Sequence, residues 1–205
     1  MKFKIRSSLL LMVIFFMSST VFGQITLVKP DVKNSFPLVI SSDKRAAIYY
    51  SKQDFNLVER AVHLLSEDIS KVSGYFPVIS TQKINSDYAV IIGTIGYNPI
   101  IDQLIKKNKL DVSTIRNGWE QYVIKTLDNP LHGVKKALII AGSDRRGTAY
   151  GIFSVSEAIG VSPLYWWADV PVKKHSSLFI KDIDHASKAP SVKYRGIFIN
   201  DEGWG

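Results

Sequence analysis

The chain has 205 residues, no cysteine and a formal net charge of +8. The absence of thiols excludes disulfides, thiolate metal sites, a cysteine nucleophile and a lipid-anchored bacterial lipoprotein. Apolar residues make up 46% of the chain, enough for an ordinary core. No Lys/Arg block is interleaved with aromatics, so the charge does not read as a nucleic-acid footprint.

Residues 1–23 read as a secretory signal. Lys2, Lys4 and Arg6 form a positive start, Leu9 to Met17 is apolar, and Val21 and Gly23 supply small residues at the −3 and −1 positions of a cleavage site. The apolar run falls short of the ~20 residues a membrane span needs. Cleavage would leave a mature chain from Gln24 with no stable membrane anchor, placed in the periplasm or outside the cell. Its net charge would fall from +8 to +5, because three basic residues and no acidic one leave with the signal.

Strands and helices then alternate. Leu38 to Ile40 and Ala46 to Tyr50 read as short strands, split by the turn residues Ser41, Ser42 and Asp43. From Asp54 to Ser73 the apolar residues Val58, Ala61, Val62, Leu65, Ile69 and Val72 recur at helical spacing, with Asp54 as expected N-cap and Gly74 just past the end. Phe76 to Ser80 and Tyr88 to Gly93 read as strands, the second apolar throughout, as suits a strand buried on both faces. Pro99 opens a helix that Ile100 to Lys107 continues. Trp119 to Leu127 alternates as a strand, Asp128-Asn129-Pro130 and Gly133 mark a turn, and Lys136 to Ala141 is another buried strand. Ser143 is the expected cap of a helix running to about Ile159, with Gly160 beyond it. This order predicts an α/β fold, a mixed sheet with helices packed on it. After Val161, Pro163, Pro171 and Pro190 punctuate a loop-rich stretch with one strand at Ser177 to Lys181. Residues 182–191 read as a linker, and Val192 to Asn200 as a fresh buried strand ending in Asp201-Glu202.

Four stretches have the makings of a site. Gly142-Ser143-Asp144-Arg145-Arg146-Gly147-Thr148 follows a buried strand and opens a helix, the setting of a phosphate-binding loop. Thr148 stands where a P-loop has its lysine, so a structural turn is the better reading, with Arg145 and Arg146 pairing carboxylates or capping carbonyls. Gly93-Thr94-Ile95-Gly96 reads as a tight turn. Tyr165, Trp166 and Trp167 suit either the apolar face of a sugar ring or a packed seam, with packing the commoner use. The four histidines are scattered without metal-ligand spacing, and neither a metal nor a cofactor is expected. The end of the last strand delivers Asn200, Asp201 and Glu202. Pattern alone leaves open whether that is the carboxyl end of a barrel strand, where such enzymes keep their active site, or a surface turn.

Three stretches together resemble the start of glycoside hydrolase family 115, the bacterial xylan α-glucuronidases. They are Gly142 to Ile152, Ile159 to Val172 with its Leu164-Tyr165-Trp166-Trp167-Ala168-Asp169-Val170-Pro171 core, and Pro190 to Glu202 with Tyr194-Arg195-Gly196. Ile92-Gly93-Thr94 and Gly118-Trp119-Glu120 also fit. The resemblance implies an amino-terminal non-catalytic α/β domain at residues 24–181, a linker at 182–191, and at 192–205 the first strand of an incomplete TIM barrel. The complete enzyme would remove glucuronic acid, or its 4-O-methyl form, from glucuronoxylan with inversion. Asp201 would be an active-site carboxylate, with Asn200 and Glu202 hydrogen-bonding substrate; Trp166 and Trp167 are expected to bind substrate on the strength of their aromatic faces. This chain, ending at Gly205 after one strand of eight, would be inactive alone. A homodimer of the full-length enzyme is a further expectation. The competing readings are a free-standing carbohydrate-binding module and a structural accessory module.

Overall fold

Residues 25–30 and 32–196 are described by a computed structural model. The expected signal and residues 197–205, which carry Asn200, Asp201 and Glu202, lie outside them. A six-stranded sheet forms the centre, in the order β4 (Ile79–Ser80), β3 (Ala47–Tyr49), β5 (Tyr88–Thr94), β7 (Val134–Gly142), β6 (Tyr122–Leu131), β9 (Asp184–Ala186). The first four run parallel; β6 is antiparallel to both β7 and β9. A second sheet sets β8 (Leu178–Lys181) between β1 (Leu27–Val28) and β2 (Ser35–Val39), antiparallel to each.

The central strands explain their own composition. Val90 and Ile92 of β5, with Leu138 and Ile140 of β7, face one core, shared with α1 (Asn56–Ser73), α3 (Arg145–Ala158) and the smaller sheet. Ala89 and Ile91, with Ala137 and Ile139, face the other, closed by Ile101 and Leu104 of α2 (Pro99–Lys106) and by Leu110, Val112 and Ile115. A strand covered on both faces has no polar side to show, hence its unbroken apolar run. The mixed, helix-covered sheet expected from the element order is therefore present. Gly74 ends α1 at φ 86°, a left-handed backbone that costs glycine least.

The structure differs from expectation at several boundaries. Asp54 does not cap α1. Its carboxylate instead accepts the Phe55 N–H at 2.8 Å and the Thr94 N–H at 2.7 Å, tying the helix start to the end of β5. Asp144, not Ser143, caps α3, accepting the N–H groups of Arg146 and Gly147 at 2.9 and 2.8 Å. β6 begins at Tyr122 rather than Trp119 and runs through Asp128-Asn129-Pro130 by a register shift. Phe76 to Val78 stay outside β4. Tyr165–Ala168 form a short helix, α4, in the stretch expected to be loop. Within the expected linker, residues 184–186 are strand β9, because an extended Asp184–Ala186 satisfies the outer edge of β6. Residues 192–196, expected to open a buried strand, are irregular and exposed.

Candidate functional site

In parallel α/β sheets, ligands favour the carboxyl ends of the strands where successive helices leave to opposite faces. Here that crevice lies between β5 and β7, since α2 covers one face and α3 the other. The chain fills it with its own atoms. The Thr94 and Thr148 hydroxyls bond each other at 2.9 Å, and the Ile95 N–H donates to the Gly142 carbonyl at 3.0 Å. A Cβ on Gly142 would lie 2.2 Å from the Thr148 nitrogen, and one on Gly147 2.1 Å from the Gln121 carbonyl oxygen. The glycines thus permit close backbone approach, and Asp144 already occupies the first N–H groups of α3. The loop that resembles a phosphate cradle is a closed structural turn.

Beside it stands a cluster built on Glu120. This residue has φ 55°, a left-handed backbone that costs a non-glycine residue about 1–3 kcal/mol, and its side chain is 7% exposed. Hydrogen bonds hold it there. Its N–H donates to Asp144 Oδ2 at 2.7 Å, Arg146 Nε lies 3.0 Å from Oε1, and Arg195 Nη2 donates to Oε2. The Tyr150 hydroxyl accepts from Arg146 Nη2 at 3.0 Å and Arg195 Nη2 at 3.3 Å. Arg195 also lies over the rings of Trp119 and Tyr150, at 5.7 and 5.9 Å. The Tyr150 hydrogen bond, more than Glu120, raises Arg146 above its usual value, whereas Glu120 does most to raise Arg195. Around the cluster a hollow of about 660 Å³ is lined by Trp119, Glu120, Asp144, Arg145, Arg146, Lys193 and Tyr194.

The aromatic run sits elsewhere. Trp166 and Trp167 are 77% and 72% exposed, so packing against the described body is not their role. Tyr165 is half-buried, and Lys71 near the end of α1 lies over Tyr165 and Trp166 at 5.0 and 5.7 Å. Because α1 and α3 both start at the carboxyl edge of the sheet and run back across it, α4 belongs to the amino edge. The 14 residues of α3 alone span ~21 Å. Trp166 and Trp167 are thus remote from the Glu120 cluster. Asn200, Asp201 and Glu202 lie outside the described residues, so nothing here joins them to either surface. Among the described residues no three His, Asp or Glu side chains gather as a metal site, and no helix is long and apolar enough to cross a membrane.

Sequence reasoning missed the Glu120 cluster. Glu120 and Tyr150 were singled out only as letters of the resemblance and Arg195 only there and as part of the expected last strand, and only the rule that Arg146 would find a carboxylate pointed toward the cluster.

Fold and site together define an α/β domain whose β5–β7 crevice is filled by its own atoms, with Arg195 of the outgoing segment bonded to Glu120 beside it. No family model and no curated protein matches the chain. A solved structure of a family GH115 4-O-methyl-α-glucuronidase, BtGH115A, with specificity for decorated arabinogalactans, aligns at 36% identity and a TM-score of 0.67 over 83% of this chain. A structure of CpGH84D aligns at 15% identity and a TM-score of 0.45, over 79% of this chain and 23% of that one, too distant to bear on function. The chain belongs to glycoside hydrolase family 115. It spans 20% of the length of the family structure it matches.

Proposed function

We propose that this chain comprises the amino-terminal, non-catalytic domain of an exported α-glucuronidase, a linker and the first strand of its catalytic barrel. The whole enzyme would remove glucuronic acid, or its 4-O-methyl form, from a plant polysaccharide with inversion. The observation that carries this reading is the 36% identity over 83% of the chain, set against 20% of the length of the solved enzyme. Inversion needs an acid and a base roughly 6.5–9.5 Å apart, leaving room for water between them and the sugar. In this reading Asp201 supplies one carboxylate of the site, Asn200 and Glu202 hydrogen-bond substrate, and the remaining groups come from the rest of the enzyme. Glucuronoxylan is the proposed substrate. The solved relative is described as specific for decorated arabinogalactans, so both polymers belong in the test.

The purified chain is expected to release no glucuronic acid from glucuronoxylan or from a glucuronate-decorated arabinogalactan. The full-length enzyme should release it from one of them, and should lose that activity on Asp201→Asn. Robust turnover by the 205-residue chain alone would overturn the reading.

The exposure of Trp166 and Trp167 supports a second reading, in which α4 presents a sugar-stacking face. Xylan or arabinogalactan oligosaccharides should then change the tryptophan fluorescence of the isolated chain, and Trp166→Ala/Trp167→Ala should abolish the change. An unaltered spectrum at millimolar ligand counts against it.

A further inference from the structure

The main sheet keeps hold of the chain as far as Ser187. Its N–H donates to the Tyr122 carbonyl at 2.8 Å, its hydroxyl accepts the Tyr122 N–H at 2.9 Å, and its carbonyl accepts Gln121 Nε2 at 2.9 Å. From Lys188 the chain runs over the surface, and Lys193 and Tyr194 are exposed, Tyr194 at 87%. Arg195 then reaches back to the same loop that holds Ser187. Its guanidinium meets the buried Glu120 carboxylate, lies over Trp119 and Tyr150, and donates at 2.7 Å to the Val192 carbonyl of its own segment. Glu120 is the partner of Arg195 and of Arg146 at once, and its strained backbone is fixed from behind by the Asp144 cap of α3. A guanidinium bonded through Nη2 to a carboxylate and to the Tyr150 hydroxyl, and lying over two rings, fixes direction as well as position.

We propose that Glu120, Arg146, Tyr150 and Arg195 form a clasp by which this domain sets the place and direction of the outgoing chain at Arg195 and Gly196. Arg195 is the latch and Glu120 the seat, with Arg146 neutralising the second carboxylate oxygen. Arg195 lies six residues before Asp201. The clasp is therefore a positioning device for the proposed active-site carboxylate, a consequence that rests on the family reading above. The clasp itself does not depend on it.

The test is backbone order, read by 15N relaxation on the purified chain, for wild type, Arg195→Ala, Glu120→Gln and the double variant. In Arg195→Ala, the heteronuclear NOE across residues 191–196 is expected to fall to that of a free tail, while β6 and β7 keep theirs. The double variant should be no more mobile over that segment than Arg195→Ala, because both changes act on the same contact. An unchanged NOE at 191–196 in Arg195→Ala overturns the proposal, as does an equal fall throughout β6 and β7, which would mark general destabilisation. Should Glu120→Gln fail to fold, Arg195→Ala still decides, since that side chain is on the surface. No readout involves sugar or turnover, so failure here and failure of the glucuronidase reading are separate results.

Discussion

At the scale of single residues, two side chains and one missing side chain carry most of the consequence. Gly147 lies so close to the Gln121 backbone that any Cβ must push β6 and α3 apart. Gly147→Ala is therefore expected to cost about 1–3 kcal/mol by overpacking, seen as a lower urea midpoint with an unchanged slope. Tyr50 is 3% exposed and donates to Glu59 Oε1 at 2.6 Å. Burial, and then Glu59, push its hydroxyl up to about 12. The neutral form is thus favoured by folding. Its contribution is complete below pH ~10, where an unfolded tyrosine titrates, and is lost as pH rises from there toward 12. Alkaline titration of tyrosinate absorbance should show a late component near that value, and Tyr50→Phe should remove it. Glu120 is the third case, a left-handed residue whose placement no local rule suggests.

At the scale of elements, the helices show what a sequence reading reaches and where it stops. The periodicity of α1, the Pro99 start of α2 and the extent of α3 were all legible, because burial against a sheet imposes a 3.6-residue repeat on the sequence itself. The caps of α1 and α3 were not. Asp54, Ser143 and Asp144 are all acceptable cap residues by type, and the choice fell to distant partners. Asp54 was drawn to the Thr94 N–H, and Ser143 to Gln121, where its Oγ accepts the N–H at 3.1 Å. Asp144 holds two α3 N–H groups and the Glu120 N–H together. Asp144→Ala is accordingly expected to destabilise by about 1–3 kcal/mol, more than an ordinary cap, because the buried Glu120 N–H loses its acceptor too. Ser143→Ala should cost clearly less in the same denaturation experiment.

At the scale of the whole molecule, the two surfaces of interest lie at opposite edges of one sheet. The carboxyl edge holds the Glu120 clasp and the outgoing chain; the amino edge carries the exposed tryptophans of α4. Trp166→Ala and Trp167→Ala are each expected to change stability by no more than about 0.5 kcal/mol, since both side chains are largely exposed. Acrylamide should quench both readily, and weak quenching would show that the rings are covered in solution. The sequence by itself determined the mixed α/β class, the strands buried on both faces and the family, because periodicity, apolar runs and ordered motifs are properties of the chain alone. Only the tertiary structure decided that the glycine-rich turn is closed, that residues 184–186 complete the sheet, and that Arg195 finds Glu120. Those outcomes depend on groups far apart in sequence brought together by the packing of α3 on β6 and β7, and no local pattern records which of several eligible partners that packing will place within reach.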